Sequence, residues 1–325
     1  MMTGAWVVLA SLALEAAVGY PAALHARIPH PVVWAGGAID VLERWWNRPR
    51  YSFVARRLLG VVAVVLVMFA AVAAGWVVQW LVGLAVGWAS AVGLAARLGG
   101  MLVIALVGTV GLAQRSLFDH VKDVLVSLRA GDLPTSRKRV SLIVGRDTRK
   151  LDAQGVSAAA LESLAESFND GIVAPAFWFV IAGLPGLFAY KALNTADSLI
   201  GHREDRWRAF GWAAARADDV ANLVPARIAG ALLALAGLGG WAVMLSDASK
   251  HASPNAGWPE AAMAGALRVK LGGPTAYDGV VHERPVFGTG PAPGVADLSR
   301  GLRIYIVGCG LLWAVIAAVG VAWRP

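Results

Sequence analysis

Cysteine is nearly absent. Cys309 stands alone among 325 residues, so the chain can form no internal disulfide, and no CxxC or Cys/His cluster is present to hold zinc. Charge is also scarce: Asp, Glu, Lys and Arg make up 15% of the chain, against roughly 25% in soluble domains, while 58% of residues are hydrophobic. This balance excludes a disordered chain, a coiled coil and a disulfide scaffold. No P-loop, dinucleotide-binding glycine fingerprint, HExxH pair or nucleophile triad occurs. The six histidines (His25, His30, His120, His202, His251 and His282) are too scattered to argue a metal site, and no internal repeat or low-complexity tract is apparent.

What is present is apolar length. Residues 4–20, 58–82, 223–245 and 302–323 are each close to the roughly 20 helical residues that cross a bilayer core, and 98–113 forms a shorter fifth stretch. Between Leu58 and Ala113 the only charge is Arg97, which predicts a helical hairpin with its tip near 83–100. The N-terminal stretch lacks a basic leader and reads as a span rather than a signal peptide. Arg27, Arg44, Arg48, Arg50, Arg56 and Arg57 in the loop after it place that loop in the cytoplasm. Trp45 and Trp46 beside them fit a helix lying at the interface. The net charge of +8 thus reads as affinity for anionic lipid and positive-inside loops, with no basic-aromatic motif for nucleic acid. The fold expected is an all-α, polytopic integral membrane protein with about four to six membrane helices, forming a single membrane domain. The segment 172–190 contains Pro175 and the run Gly183-Leu184-Pro185-Gly186, which predicts a broken or re-entrant helix.

Ionisable residues are rare inside the apolar runs; Glu15, Arg97 and Arg227 are the exceptions, each near a predicted end. A transporter would carry them at depth. Here the polar groups gather in segments 114–171, 191–222 and 248–301, a distribution that favours chemistry at the membrane surface. The first contains Arg137-Lys138-Arg139, whose simplest reading is a solvated loop at the lipid surface, then Gly145-Arg146-Asp147-Thr148. In a following helix Glu162, Glu166 and Asp170 stand at i, i+4 and i+8 on one face. Like charges so spaced need a cation, either magnesium with phosphate or the side chains of Arg146, Arg149 and Lys150.

The second segment places Lys191, Asn194, Asp197 and Ser198 on one helical face, followed by Arg216 and the array Asp218-Asp219-Val220-Ala221-Asn222. Such an array offers oxygens to a hard cation; alternatively the acids begin the next helix, with Pro225 in its first turn. The third segment, 253–265, has two prolines and a glycine leading into a small-residue helix that packs through Ala261, Ala262, Ala264 and Gly265. Asn255 and Glu260 are placed to face a ligand, and Trp258 either stacks on a flat ring or marks the membrane interface. The glycine- and proline-rich stretch 272–294 reads as an irregular loop.

In order along the chain, these pieces resemble the CbiB/CobD family of cobalamin-biosynthesis proteins, the adenosylcobinamide-phosphate synthases. The likeness includes Pro29-His30-Pro31-Val32, Val144-Gly145-Arg146-Asp147-Thr148, Glu162-Ser163 with Ala165-Glu166 and Asp170-Gly171, and Gly183-Leu184-Pro185-Gly186. It continues through Tyr190-Lys191-Ala192 with Asn194-Thr195 and Asp197-Ser198, Asp218-Asp219 with Asn222, Pro225-Ala226-Arg227, 253–265 and Leu271-Gly272-Gly273-Pro274. The chain departs from the family pattern at Glu15, where an aspartate is usual, at Gly19-Tyr20-Pro21 and at Ser167, where an asparagine is usual.

The resemblance implies a multi-pass inner-membrane enzyme with its site facing the cytoplasm. Adenosylcobyric acid would be joined through its free propionate to (R)-1-aminopropan-2-ol or its O-phosphate, with ATP and Mg2+. It also implies contacts with membrane lipid and assembly with a second copy or with other enzymes of the pathway. By the same resemblance Lys191, Arg216, Asp147 and Glu166 are the catalytic candidates, and Glu162, Glu166, Asp170, Asp218 and Asp219 the metal candidates. Asn194, Asp197, Ser198, Asn222, Arg227, Asn255, Trp258 and Glu260 are the candidates for substrate binding. The alternative is a non-catalytic inner-membrane sensor of the AmpE type. A single site built from all three segments requires at least one of 172–190 and 223–245 to be broken or re-entrant.

Overall fold

The computed structural model describes residues 4–19, 30–88, 93–202, 204–277 and 280–323. Arg27, Pro29, the Tyr20-Pro21 pair and positions 89–92 of the expected hairpin tip lie outside the described residues. In chain order the helices begin with α1 (Gly4–Val18), α2 (Pro31–Trp46), α3 (Phe53–Trp88), α4 (Leu94–Thr109), α5 (Gln114–Arg129) and α6 (Leu133–Val140). They continue with α7 (Ala153–Phe168), α8 (Ala174–Ile200), α9 (Trp212–Ala221), α10 (Leu223–Ala236), α11 (Trp241–Asp247), α12 (Gly257–Leu267) and α13 (Val295–Ala322). A π-helical turn, Asn169–Val173, follows α7.

Four stretches are long and apolar enough to span a membrane: Phe53–Gly87, Leu94–Arg129, Ala153–Ile200 and Val295–Ala322. Trp212–Ala221 and Leu223–Ala236, bent by 51° at a short break, make a fifth if the pair is counted as one broken span. The protein is therefore a polytopic, almost wholly α-helical membrane protein. Helix α1 is apolar with 15 described residues, and the chain leaves the helix at Gly19, whose φ is 65°.

The chain divides into two compact units. The first comprises Met1–Ala113, Ala174–Asn222 and Ile316–Pro325. Its core joins α2, α3, α8 and α9 through Ile39, Ala63, Val64, Val67, Leu193, Ile200 and Ala214, with Phe210 just before α9. Helix α8 is interrupted as expected: Gly183 has φ 65° and ψ −155°, and Pro185 follows inside the helix. The break frees the Leu184 N–H, which donates to Gln79 Oε1 of α3 at 2.6 Å, so a backbone donor is satisfied inside apolar surroundings. Gly75, one turn earlier on α3, lets the helices touch; a Cβ there would lie 2.6 Å from the Leu184 carbonyl carbon.

The second unit comprises Gln114–Val173 and Leu223–Val315. Asp132 caps α6 by accepting from Thr135 N (3.0 Å), and Asp152 caps α7 by accepting from Gly155 N (2.7 Å). The basic triplet is helical instead of a loop: it forms the last turn of α6, where cations complement the helix dipole. Arg137 donates to Leu151 O at 2.6 Å and Arg139 pairs with Asp123 at 2.8 Å.

The stretch 223–245 is not one span. Helix α10 ends at Ala236, Leu238 and Gly240 take positive φ (51° and 95°), and α11 starts anew at Trp241. The small-residue helix packs as expected: Ala261, Ala262 and Ala264 are fully buried, and a Cβ on Gly265 would meet Gly240 Cα at 2.7 Å. Stretch 272–294 is more ordered than an irregular loop. Strand β1 (Leu271–Gly272) pairs antiparallel with β4 (Val286–Phe287), and β2 (Thr275–Tyr277) with β3 (Val280–His282). The β1–β4 pairing pins both ends of the excursion, a long-range contact that local glycine and proline content does not reveal.

Candidate functional site

In the second unit the acids expected on one helical face occupy different environments. Glu162 and Glu166 are one turn apart on α7, but Asp170 falls in the π-turn, where the wider winding displaces it from the α-helical register. Glu162 is 3% exposed and heavily partnered. Its Oε1 accepts from the Gly272 N–H at 2.8 Å, and its Oε2 accepts from Arg146 and, at 3.3 Å, from Arg284 Nη1. Glu166 is exposed and makes no hydrogen bond or ion pair with the described residues, though it lies within electrostatic range of Asp170, Arg284, Glu162 and Arg146. The Asn169 amide donates to Asp170 at 2.7 Å.

Glu260 completes this group from the first turn of α12. It is 1% exposed, and its Oε2 accepts no hydrogen bond; the nearest cationic nitrogen, Arg284 Nη2, stands 3.7 Å away. Its Oε1 faces His251 Nε2 at 3.7 Å. The Ser253 N–H donates to His251 Nδ1 at 2.9 Å, which leaves Nε2 as the protonated ring nitrogen. Burial, with Glu166 and Glu162 close by, pushes the Glu260 carboxyl well above its ordinary value despite Arg284 and Arg146. Glu162, Glu166 and Glu260 thus share Arg146 and Arg284, and Asp170 lies within electrostatic range of Glu166. Among the described residues, no three His, Cys, Asp or Glu side chains converge as a metal cage.

The other second-unit candidates lie apart from this group in their bonding. Asp147 is clasped by Arg149, which donates from Nη2 (2.8 Å), Nε (3.1 Å) and its backbone N–H (3.0 Å). These bonds hold the Asp147 carboxyl down at about 2. Arg227 donates to Asn255 Oδ1 at 2.8 Å and covers the Trp258 ring, its guanidinium carbon 4.6 Å from the centroid.

In the first unit Lys191, Asn194 and Asp197 are half-buried along α8, and Ser198 is exposed and donates to Asn194 O at 2.8 Å. Asp218 and Asp219 end α9 rather than begin α10. Acids are disfavoured at a helix C-terminus, and here each meets a donor: Arg216 pairs with Asp219 at 3.0 Å, and Asn222 Nδ2 donates to Asp218 Oδ2 at 2.9 Å. Asn222 Oδ1 in turn accepts from Tyr190 OH at 3.0 Å, which forms a buried Tyr190–Asn222–Asp218 relay.

The sequence model of the family described as CobD/Cbib protein matches residues 8–305, nearly the whole chain. The chain belongs to the CobD/CbiB cobalamin-biosynthesis family. Among its relatives, the cobalamin biosynthesis protein CobD of Rhodobacter capsulatus is 48% identical over 327 residues, covering 99% of both chains. The protein of the same description from a Sinorhizobium species is 44% identical, covering 95% of this chain and 96% of its own, and that of Brucella anthropi is 46% identical over 285 residues, covering 85% and 84%. No solved structure matches.

Sequence reasoning missed four residues that hold the CobD/CbiB fold and its charge cluster together. Arg284 comes to Glu260 from a loop 24 residues on and His251 from the segment just before α12, Tyr190 reaches Asn222 across 32 residues, and Gln79 fills the α8 break. The one available signal was Gln79, an amide with no evident use inside a predicted span.

Proposed function

We propose that the chain is an amide-forming ligase. It joins adenosylcobyric acid, through its free propionate, to (R)-1-aminopropan-2-ol or its O-phosphate, with Mg·ATP as co-substrate. Family membership supports the pathway. The observation that carries the chemistry is the Glu162–Arg146–Arg284–Glu260–Glu166 cluster. A carboxylate is a poor acyl donor, and bound Mg·ATP supplies the phosphoryl group that activates it.

The cluster offers what such a reaction needs from protein. Arg146 and Arg284 present planar forks suited to a carboxylate or phosphate, and Glu162 holds both in place. Charge that develops during acyl transfer is stabilised best by donors fixed beforehand. Magnesium carried on phosphate takes one or two carboxylates and fills its other positions with phosphate oxygen and water. Asp170, half-buried in the turn that follows α7, would take that role. The assignment of Lys191 and Arg216 to phosphate or the activated carboxylate, and of Asn194, Asp197, Ser198, Asn222, Arg227, Asn255 and Trp258 to the substrates, rests on the family resemblance.

A strain lacking its own enzyme tests this reading. It should grow on cobinamide but not on cobyric acid, and expression of this chain should restore growth on cobyric acid. Failure to restore it, with the protein present in the membrane, contradicts the proposal.

A further inference from the structure

A buried carboxylate oxygen without a donor is costly, and native structures nearly always satisfy such groups. Glu260 Oε2 is such an oxygen, fully enclosed, with Arg284 Nη2 beyond hydrogen-bond reach at 3.7 Å. A donor-bearing group therefore belongs beside it. The surroundings define what that group is. Glu162 already accepts from two arginines and a backbone N–H and has little left to offer a ligand. Glu166 has no bonded partner among the described residues and lies within electrostatic range of Glu260. Arg146 and Arg284 do not offset three glutamates, so burial and its neighbours keep the Glu260 carboxyl above its ordinary value, and a cation placed beside it would hold it ionised.

A divalent metal fits this inner corner poorly. It needs short, convergent oxygens, which no three acidic or histidine side chains among the described residues provide, and Arg284 repels a divalent ion twice as strongly as a monovalent one. A primary ammonium fits well. It carries one charge and three donors, and it can bond carboxylates set at hydrogen-bond rather than metal-ligand spacing.

We propose that Glu260, with Glu166 as second acceptor, forms the subsite for the protonated amino group of an amino-alcohol substrate. The inference rests on the ligase reading and deepens it. Among the substrate-binding candidates it gives Glu260 a specific role, contact with the amine, and adds Glu166 of the second unit to it. The carboxylates hold the nitrogen, while Arg146 and Arg284, held by Glu162, face an anionic partner.

The test is equilibrium binding to the full chain in lipid nanodiscs by titration calorimetry, without corrinoid or nucleotide. 1-Aminopropan-2-ol should bind, and propane-1,2-diol, the same skeleton without the ammonium, should not. Glu260→Gln should weaken amine binding at least about tenfold, equivalent to about 1.4 kcal/mol. Glu166→Gln, at an exposed position that leaves folding intact, should weaken it as well. Equal affinity of wild type and both variants for the amine would overturn the subsite, as would equal binding of the diol. So would Mg2+ alone binding in a Glu260-dependent way while the amine does not.

The outcome separates from that of the ligase reading. Amide formation with an unchanged KM for the amine in Glu260→Gln removes the subsite only. Amine binding without any amide product removes the ligase and leaves the subsite standing.

Discussion

Glu43 and Glu260 are both buried glutamates, 4% and 1% exposed, yet they are treated in opposite ways. Glu43, on α2 of the first unit, accepts from Arg206 Nε and Nη2, each at 3.0 Å, and from Asn47 Nδ2 at 2.9 Å. Arg56 extends the clasp by donating to Asn47 Oδ1 at 2.6 Å and to the Arg206 carbonyl. The result is a closed set of bonds that ties the segment after α8 to α2 and α3. Glu260 in the second unit has His251 Nε2 and Arg284 Nη2 each at 3.7 Å and no hydrogen bond to Oε2. Buried ions that only stabilise a fold are paired in full. One left short of donors is a place for something else to bind.

Four substitutions bear on this contrast. The largest effect is expected from Glu162→Ala, which leaves Arg146 and Arg284 facing each other in half-buried positions. Removing one partner of a buried pair costs about 3–5 kcal/mol, so folded protein recovered from membranes should fall sharply; normal recovery would mean the arginines find other partners.

Gln79→Leu comes next. It strands the Leu184 N–H at the α8 break, at a cost of about 1–3 kcal/mol, read as a lower midpoint of thermal unfolding. An unchanged midpoint would show the break to be satisfied in another way.

Glu43→Gln sharpens the first half of the comparison through pH. Burial opposes ionisation of Glu43, but the bonds from Arg206 and Asn47 and the charge of Arg206 outweigh it and hold the carboxyl below its ordinary value. Its contribution to stability is present above the unfolded-state value and is lost as pH falls through the folded one. Wild type should therefore lose more stability than Glu43→Gln when taken from neutral to acid pH. Parallel curves would contradict the clasp.

The smallest effect belongs to Asp219→Asn. Its pair with the largely exposed Arg216 is worth about 1 kcal/mol or less, and thermal unfolding should barely move. A large shift would give this pair a structural weight that its exposure does not suggest.

Much of this was legible from local sequence. The Gly183-Leu184-Pro185-Gly186 run breaks α8 because glycine takes positive φ and proline lacks an N–H, both local properties. Gly237–Gly240 interrupts 223–245 for a related reason. The spacing of Glu162 and Glu166 implied that a cation must meet them; Arg146, an expected partner, meets Glu162, while Glu166 makes no ion pair among the described residues. The spacing did not reveal Arg284, 122 residues from Glu162 and delivered by the β1–β4 pairing, or the π-turn that moves Asp170. Nor did it show that Asp218 and Asp219 close a helix, since Asp-Asp before Pro225 reads equally well as a helix start. What was hidden is non-local, set by which distant loops the fold brings together.

The central claim is that the second unit's charge cluster makes an amide from a corrinoid acid and an amine. Purified chain in lipid, given adenosylcobyric acid, Mg·ATP and either 1-aminopropan-2-ol or its O-phosphate, tests it directly by mass analysis of the corrinoid. The account predicts adenosylcobinamide or its phosphate from wild type and a collapse of that product in Glu260→Gln of unchanged thermal stability. A corrinoid acid recovered unaltered with both amines, from folded wild-type protein, would contradict it.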